Sequence, residues 1–584
     1  MDSAWKEYVH KGLRDQPVAD LYDYFDFHRN RQKKFSQLSF QVSSGSYEPR
    51  SSQIARLEKK VGLCRPIVIP TPEDAVVMQC ITEELLSPAL KAQPSENVFF
   101  SRSHSTPQTK LAFGRDYIWF RRYKRFANLR IEISSVHDWL VVTDVANYFD
   151  TIIHAFLRNQ LAELDGVKEP ILDILFRIIP YVSWKPDYLP LSDRGLPQVQ
   201  FDAPRLLAHV YLYEIDQFID AQTAGNFVRW VDDISAAVPN EERGHRLVRD
   251  LDALMHTRGI RLNSGKTHVL SKHDAFKFFQ VSENKLVDAL AKEANRRIKS
   301  GLAMSRFNQK CKNRFDKFLR KSKFGHHDKV VRRYLNLFTI TKSDGALKYC
   351  IDSFARDPSI REACLTYFLA LGPRLAIFNM LNGYLMGGFA IDDISICQSA
   401  RLLTRWQIQP NSGLEKHVRT LGRELAKDTY LRRSPFYLTA SIWILGKYGT
   451  SQQLLIALRG SRGLWSNSEH LARQVVAVVA RFRKTSLRSE FYSALKGRGF
   501  ISAEDVILDH RTLRRMKEPI PPEVRGYVIN GKNKTDFGLA RMLIIRTVLD
   551  NKIISVKYRQ ALSSQILMYL TDPIFRQMII PFTK

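Results

Sequence analysis

The sequence predicts an α+β domain that is followed, beyond about residue 340, by an all-helical region. Short apolar stretches rich in β-branched residues alternate with helical patterns up to about residue 280. Two of these stretches carry aspartates at their ends, and strand signals largely disappear from the rest of the chain. The fold class therefore follows from the strand spacing, the placement of carboxylates and the uniform helical periodicity of the C-terminal region.

The composition limits the classes of function. The 584 residues are sufficient for two to four domains, and the hydrophobic content of 44% is that of a globular protein. The net charge of +30 indicates a polyanionic partner, because Lys and Arg side chains that contact phosphates release counterions. Solubility alone is the other explanation of this charge.

The N-terminal residues and the cysteines indicate the cellular compartment. The first residues are charged and lack the apolar core of a secretion signal, and no stretch approaches the ~20 apolar residues of a transmembrane helix. The six cysteines show no Cys-x-x-Cys spacing, so we expect neither structural zinc nor disulfides. The sequence therefore predicts a soluble protein of a reducing cytoplasm without a membrane partner.

The first elements lie before residue 100. Residues 18–36 predict a short helix, and residues 74–90 predict an amphipathic helix. Between them, the apolar stretch 63–77 contains Arg65 directly before a proline. A guanidinium offers a planar fork of donors that suits phosphate oxygens, whereas the alternative is an ordinary surface arginine.

Residues 115–130 place basic residues among aromatic rings. This pattern suits a groove in which cations follow a nucleic-acid backbone while rings stack on bases. An apolar core with a charged outer face explains the same pattern equally well. The sequence alone leaves both interpretations open.

Two predicted strands deliver carboxylates. Residues 140–144 end at Asp144, and residues 226–238 predict a hairpin with Asp232 and Asp233 at its tip. Such strands can meet in one sheet and share divalent cations, which prefer hard oxygen ligands. In nucleotidyl transfer with two metal ions, one ion lowers the pKa of the attacking hydroxyl and both stabilise the phosphoryl and leaving oxygens. We therefore expect the three aspartates to bind Mg²⁺, with a solvated Asp-Asp turn as the alternative.

Five blocks, taken in chain order, resemble those of the reverse transcriptases. They are residues 63–77, Asp144 with Phe149, residues 195–212, Trp230-Val-Asp-Asp233 and residues 259–267. Any one match would be weak, but five in the order of the family are specific. The resemblance implies an α+β right-hand polymerase, with fingers and palm of reverse transcriptase type, that is followed by an all-α thumb and a HEAT-like α-repeat domain.

The resemblance also implies roles for single residues. Arg65 is in the position that holds the incoming triphosphate, and Phe149 is where a ring beneath the sugar excludes ribonucleotides. Gln198 belongs to the block that positions template and primer at the nucleotide. Lys266 is similar to the lysine that protonates the leaving pyrophosphate. Core packing for Phe149 and simple neutralisation of phosphate for Lys266 are the alternatives.

The sequence departs from the family pattern at several positions. Trp230 replaces the usual Tyr or Phe, and Val199 stands where the family has Gly. Residues 199–205 also replace a small, Ser-rich segment. These changes leave the carboxylates intact and indicate a divergent member with altered handling of template and primer. Residues 276–279 lie where a primer-gripping hairpin is expected.

The chain becomes basic and helical over residues 292–333, which predicts a thumb-like segment on nucleic acid. Apolar residues recur at helical spacing within it, a pattern typical of a core stripe. They are Phe307, Cys311, Phe315 and Phe318. Beyond residue 340 the successive helical patterns resemble stacked pairs of the HEAT type. We expect Asp392 and Asp393 to begin a helix there.

The predicted domains are an N-terminal segment (1–60), fingers and palm (61–283), the basic thumb-like segment (284–340) and the helical-repeat domain (341–584). This order resembles the bacterial abortive-infection and unknown-group reverse transcriptases, which defend against phage. The resemblance implies a Mg²⁺-dependent DNA polymerase that uses dNTPs and is template-independent, protein-primed or guided by a non-coding RNA.

The implied partners are an RNA template or non-coding RNA and a DNA product in the bacterial cytoplasm. A second copy of the chain or a companion protein is open as a further partner. Two other functions also fit the sequence. One is a non-catalytic RNA-binding scaffold that keeps the same fold, and the other is an RNA polymerase.

Overall fold

The computed structural model describes residues 1–50, 52–102, 119–186, 188–199, 201–529 and 538–583. Residues 115–118 of the basic aromatic stretch lie outside these ranges, and the side chains of residues 119 and 120 are not described either. Within the described part, helices form most of the chain and strands are confined to the region before residue 272. This distribution agrees with the predicted change from α+β to all-α structure.

Two sheets contain all strands of the described residues. The strands are β1 (Gln53–Lys60), β2 (Leu63–Ile69), β3 (Val98–Phe99), β4 (Trp139–Asp144), β5 (Phe227–Trp230), β6 (Asp233–Val238) and β7 (His268–Ser271). β1 and β2 form an antiparallel hairpin, and the other five have the order β3-β5-β6-β4-β7. Only β3 and β5 pair in parallel, so the centre of the larger sheet is antiparallel.

Helices surround the larger sheet. Up to residue 278 they are Asp2–Ala4, the π-helix Trp5–Val9, His10–Arg14, Phe25–Ser43, Pro72–Lys91, Trp119–Val136, Tyr148–Thr151, His154–Ala162, Glu169–Val182, Ala203–Val210, Tyr213–Thr223, Glu241–Thr257, the 3-10 turn Ser264–Lys266 and Lys272–Phe278. Thr71 caps the predicted amphipathic helix, since its hydroxyl accepts a hydrogen bond from the Asp74 amide. The helix that was predicted over residues 18–36 begins later, at Phe25, because the preceding residues Asp23 and Tyr24 have positive φ.

The basic segment consists of the helices Val281–Lys299, Ser305–Leu319 and His327–Thr341. The remaining elements are Leu347–Ser353, Pro358–Ile360, Arg361–Leu371, Leu375–Met386, Asp393–Arg405, Gly413–Leu425, Asp428–Leu431, Phe436–Tyr448, Ser451–Gly460, Arg462–Trp465, Glu469–Val479, Thr485–Ser493, Ile501–Leu513, Pro522–Ile529, Leu539–Leu549, Val556–Tyr569, Pro573–Ile579 and Ile580–Phe582. None of the helices in the described part of the chain is both long and apolar enough to cross a membrane.

Residues 276–279 do not form the expected primer-gripping hairpin. They lie in and directly after the helix Lys272–Phe278, whose first turn is capped by the Ser271 hydroxyl. That hydroxyl accepts a hydrogen bond from the Asp274 amide at 3.2 Å, which favours a helix over a continued strand. Phe278 and Phe279 instead pack into an apolar cluster beneath β4.

Two predictions for the helical region are confirmed. The stripe of four apolar residues on Ser305–Leu319 is buried, as its spacing predicts. The Asp392 carboxylate caps the helix Asp393–Arg405 by accepting a hydrogen bond from the Ser395 amide at 2.7 Å. The HEAT-like character of the helices beyond residue 341 stays a prediction.

The large apolar core of the C-terminal helices extends into the N-terminal half of the chain. Val18, Tyr22 and Phe25 belong to it, and so do Ala55 of β1 and Ile67 of β2. A second core lies on one face of the larger sheet, and a smaller cluster lies beneath β4. The helical region therefore packs directly against the β1–β2 hairpin and the first residues of the chain.

Candidate active site

The three predicted acidic residues lie at one end of the larger sheet. β4 and β6 pair antiparallel, and their register places Asp144 directly opposite Asp233. Asp232 lies in the turn that joins β5 to β6. Val231 adopts a positive φ of 54° in this turn, a conformation uncommon for a β-branched residue. The hairpin therefore presents adjacent carboxylates beside the end of β4, as the sequence predicted.

A buried ion pair between Arg229 and Asp216 stabilises this turn. Arg229 of β5 donates to the Asp216 carboxylate at 2.6 Å and to the Val231 carbonyl at 2.7 Å. Both charged side chains are inaccessible to solvent. Burial raises the pKa of Asp216 to about 6, although the Arg229 charge opposes this shift. The sequence does not reveal this pair, because no local pattern connects a helix residue with a strand residue.

Negative charge accumulates at Asp232. Burial and then the neighbouring Asp144 and Asp233 carboxylates raise its pKa to about 7. The raised pKa reflects the electrostatic cost of placing a third negative charge beside two others in a buried position. The end of the sheet is therefore a site that attracts positive charge.

Three cationic side chains contact these carboxylates. The Lys266 ammonium lies 2.7 Å from the Asp144 carboxylate. On the other side, Arg130 and Lys329 lie 3.6 Å and 3.9 Å from the Asp233 carboxylate. Lys266 was a predicted site residue, whereas Lys329 was missed because it lies nearly a hundred residues away in sequence from the hairpin. Arg130 belongs to the predicted basic aromatic stretch, but nothing in that pattern indicated a carboxylate partner.

The donor chemistry of this site fits Mg²⁺, although no closed cage of ligands is formed. Among the described residues, no group of three or more His, Cys, Asp or Glu side chains is arranged to hold a metal ion. The side chains that face each other across β4 and β6 are nevertheless carboxylates, the hard oxygen ligands that Mg²⁺ prefers. Mg²⁺ usually binds one or two carboxylates and completes its shell with water and substrate phosphates, so an open set of donors suits it.

Arg65 and Gln198, two residues of the predicted nucleotide site, lie in contact with each other. Arg65 of β2 donates a hydrogen bond to the side-chain carbonyl of Gln198 at 2.9 Å. The amide nitrogen of Gln198 donates to the Asp150 carboxylate at 3.2 Å. Burial raises the pKa of Asp150, and the Arg65 charge opposes this shift. Asp150 directly follows Phe149, but nothing in the sequence pattern indicates a role for it.

The backbone of Phe149 is hydrogen-bonded close to Arg65, Gln198 and Asp150. Its carbonyl accepts a hydrogen bond from the Leu196 amide at 2.7 Å, and its ring contacts Tyr148 edge-on at 5.8 Å. Gly195 precedes Leu196 with a φ of 92°, which a residue with a side chain would adopt only with strain. The chain turn at Gly195 thus joins Phe149 to the block that contains Gln198.

Trp230 is accommodated by aromatic packing. Its ring lies edge-on to Tyr123 at 5.2 Å and close to Phe126 at 5.9 Å, both on the helix Trp119–Val136. Phe126 is fully buried, and the guanidinium of Arg130 stacks on its ring at 4.8 Å. In the described part of the basic aromatic stretch, Phe126 therefore belongs to the core and is not available to stack on bases.

Comparison with known proteins gives one family. Residues 57–282 match the family described as "Reverse transcriptase (RNA-dependent DNA polymerase)". No curated protein matches the sequence significantly. Among solved structures, the telomerase of Candida albicans in complex with a fragment of telomeric RNA shows 12% sequence identity and a TM-score of 0.30 over 72% of this chain and 70% of that chain. A structural similarity of this size adds nothing to the family match.

Proposed function

Since residues 57–282 form a reverse transcriptase domain, we propose that this protein is a Mg²⁺-dependent DNA polymerase. The observation that carries the proposal is the antiparallel register of Asp144 and Asp233, with Asp232 in the adjoining turn. This arrangement places carboxylates from two strands at one sheet end, which supports nucleotidyl transfer assisted by a divalent cation.

The proposed chemistry divides roles among a few side chains. Asp144, Asp232 and Asp233 would hold Mg²⁺, which when bound lowers the pKa of an attacking hydroxyl and stabilises charge on the phosphoryl oxygens. The Lys266 side chain is 63% exposed and its ammonium lies beside Asp144, so it is placed to donate a proton to a departing oxygen.

A second set of side chains receives the nucleotide. The Arg65 guanidinium has donors beyond the one that bonds Gln198, and these suit the oxygens of a triphosphate. The Phe149 ring is proposed to pack beneath the deoxyribose, where a 2′-hydroxyl would collide with it. The Gln198 amide, held by Arg65 and Asp150, would fix the position of the guanidinium.

We further infer that synthesis serves defence against phage in a bacterial cytoplasm. The support is the combination of a divergent reverse transcriptase domain with a long helical region, which resembles abortive-infection and unknown-group enzymes. Synthesis would then be template-independent, protein-primed or guided by a non-coding RNA. The net charge of +30 supports a nucleic-acid partner in each case.

Incubation of the purified protein with Mg²⁺ and each labelled dNTP tests the activity. Samples with and without ribonuclease treatment are run on a denaturing gel before and after protease digestion. We expect incorporation that a chelator abolishes and added Mg²⁺ restores. Label that enters the gel only after protease indicates protein priming, and loss of product after ribonuclease treatment indicates an RNA template or partner.

Variants of the carboxylates connect the activity to this site. Asp144→Ala or Asp232→Ala removes several kcal/mol of charge stabilisation, so incorporation should fall by about 10³-fold or more. Asp250→Ala is the control, because Asp250 lies on the helix Glu241–Thr257 and pairs with the exposed Arg249 beside it. Activity retained in Asp232→Ala would exclude the assignment.

A non-catalytic RNA-binding scaffold is the second candidate. The ion pairs of Lys266 with Asp144 and of Lys329 with Asp233 favour it, because they neutralise two of the carboxylates that catalysis would require. RNA binding by the wild-type protein without incorporation of any nucleotide, deoxy or ribo, would support this function.

A further inference from the structure

The candidate active site receives side chains from beyond the reverse transcriptase domain. That domain ends at residue 282, whereas Lys329 lies on the helix His327–Thr341 of the basic segment. The Lys329 ammonium approaches the Asp233 carboxylate to 3.9 Å. Arg332 follows three residues later on this helix, and residues at this spacing lie on the same helical face. The helix therefore presents two cations toward the end of the sheet.

The start of this helix is fixed on the reverse transcriptase domain. Gly325 has a φ of 56°, and a Cβ at this position would lie 2.2 Å from the Phe278 carbonyl oxygen. The His326 amide donates to the same carbonyl at 2.8 Å. The His326 ring also contacts Phe278 at 5.4 Å and Phe279 at 5.3 Å. These contacts hold the turn before the helix against the domain. The position of Lys329 near Asp233 is therefore fixed by packing.

The β1–β2 hairpin supplies further cations. Arg65 lies on β2, and Lys59 lies near the end of β1. Burial lowers the pKa of Lys59 and is the largest cause of the decrease. The positive charge of Arg65 is the second largest cause. The charges of Lys266 and Arg332 contribute to the same decrease. The hairpin and the helix His327–Thr341 therefore bring their positive charges within mutual range.

The balance of charge indicates the kind of ligand. Four carboxylates, Asp144, Asp150, Asp232 and Asp233, lie among six cations, which come from the hairpin, the helix Trp119–Val136, the turn at residue 266 and the helix His327–Thr341. The cations are Lys59, Arg65, Arg130, Lys266, Lys329 and Arg332. A compact ligand with several negative charges would offset the mutual repulsion of these groups. The polyphosphate chain of a nucleoside triphosphate has this chemistry and this size.

We propose that Lys329 and Arg332, together with Arg65, bind the polyphosphate of the incoming nucleotide. The proposal rests on the proposed polymerase function and adds to it a binding subsite that lies outside the family domain. The helix His327–Thr341 then forms one wall of the nucleotide site. A phosphate of the growing strand is the competing source of the same chemistry.

Steady-state kinetics of Lys329→Ala and Arg332→Ala test the proposal. Loss of one charge-assisted hydrogen bond to phosphate should raise KM for the dNTP by about tenfold or more, with a smaller change in kcat. Lys329→Arg keeps the charge and should recover most of the affinity. An unchanged KM in both alanine variants would overturn the proposal.

Arg333→Ala is the matched control. Arg333 follows Arg332 on the same helix, but its guanidinium bonds the side chains of Asn284 and Asp288. The variant therefore removes the same charge from the same helix without altering the site, and KM should stay within about twofold of the wild-type value. A KM increase equal to that of Arg332→Ala would mean that general electrostatics, and not a subsite, causes the effect.

Two further measurements have separate purposes. The first distinguishes nucleotide phosphate from strand phosphate, and the second distinguishes failure of the subsite from failure of the polymerase function. The affinity for a labelled DNA strand is measured without nucleotide, and weakened strand binding with unchanged KM would assign the cations to the strand. Equilibrium dialysis of labelled dATP with Mg²⁺ compares wild type and Lys329→Ala without turnover. Equal dATP affinity overturns the subsite, whereas a wild-type protein that binds dATP but never incorporates it contradicts only the polymerase function.

Discussion

The side-chain amide of Gln198 lies between two opposite charges. Its carbonyl oxygen accepts from the Arg65 guanidinium, and its nitrogen donates to the Asp150 carboxylate. Only one orientation of the amide satisfies both partners, so the charges fix it. The arginine is consequently held by a neutral group, and most of its positive charge remains available to a phosphate.

Phe149→Ala tests discrimination between sugars at the residue scale. Removal of the ring should relieve the collision with a 2′-hydroxyl and reduce the preference for dNTP over NTP in kcat/KM by about tenfold or more. The measurement is incorporation of each labelled dNTP and NTP by wild type and variant. Phe40→Ala is the control, because Phe40 is exposed on the helix Phe25–Ser43.

A native preference for ribonucleotides would remove the argument for a gate at Phe149. In that case the RNA polymerase alternative is favoured, and the Phe149 ring has only a packing role. Equal discrimination by wild type and Phe149→Ala would lead to the same conclusion about the ring, whichever sugar is preferred.

At the scale of elements, one arginine connects the β1–β2 hairpin to the C-terminal helices. Arg361 begins the helix Arg361–Leu371 and is only 4% exposed. Its guanidinium lies 2.6 Å from the Glu58 carboxylate of β1 and 3.1 Å from the Asp392 carboxylate. Glu58 directly precedes Lys59, so the helical region determines where the cations of the hairpin lie.

Arg361→Met should therefore weaken nucleotide binding from a distance. We expect KM for the dNTP to rise several-fold, because the hairpin that carries Arg65 loses one of its attachments to the C-terminal helices. We also expect a loss of about 3–5 kcal/mol in the free energy of unfolding, since two buried carboxylates lose their partner. Kinetics and thermal unfolding measure the two effects.

Arg356→Met is the control for this prediction, because Arg356 is exposed in the neighbouring turn. A purely structural role for Arg361 would lower stability without changing KM at temperatures where the variant is folded. Arg361→Lys keeps one donor and the charge, so it should recover part of the KM effect.

The sequence predicted elements well where the information is local. The strand that ends at Asp144 and the hairpin with Asp232 and Asp233 follow from short apolar runs that end on carboxylates. The structure at residues 276–279 was predicted wrongly, because a family position was trusted over the helix cap at Ser271. Contacts such as that of Arg361 with Glu58, 303 residues apart, leave no trace in periodicity. For the same physical reason Lys329 was missed as a site residue.

At the scale of the whole molecule, the first residues of the chain are bound by the C-terminal helices. Arg473 forms paired hydrogen bonds with Asp20 at 2.8 and 3.0 Å and with Asp26 at 2.8 and 2.9 Å. All three side chains are buried. Gln474 adds a hydrogen bond to Asp20 at 3.1 Å. Burial by itself raises the pKa of Asp20, but the positive charge of Arg473 lowers it. The net result is a pKa below the ordinary value.

Arg473→Met should destabilise the entire protein. Two buried carboxylates would lose their common partner, which costs about 3–5 kcal/mol when one side of a buried ion pair is removed. Denaturant unfolding followed by circular dichroism measures the change. Arg462→Met is the control, because Arg462 is exposed on the short helix Arg462–Trp465. A midpoint equal to that of the wild type would show that the N-terminal segment contributes nothing to global stability.

The bond between Asp20 and Arg473 has a consequence for biosynthesis. The two residues are 453 positions apart, so a ribosome that adds 5–20 residues per second needs roughly 20–90 s between them. During that interval the two aspartates have no arginine, and the apolar side chains around Tyr22 lack the part of their core that the later helices supply. The nascent chain must therefore keep its first segment soluble until Arg473 has emerged from the ribosome. The rate of translation thus sets the earliest time at which the protein can fold completely.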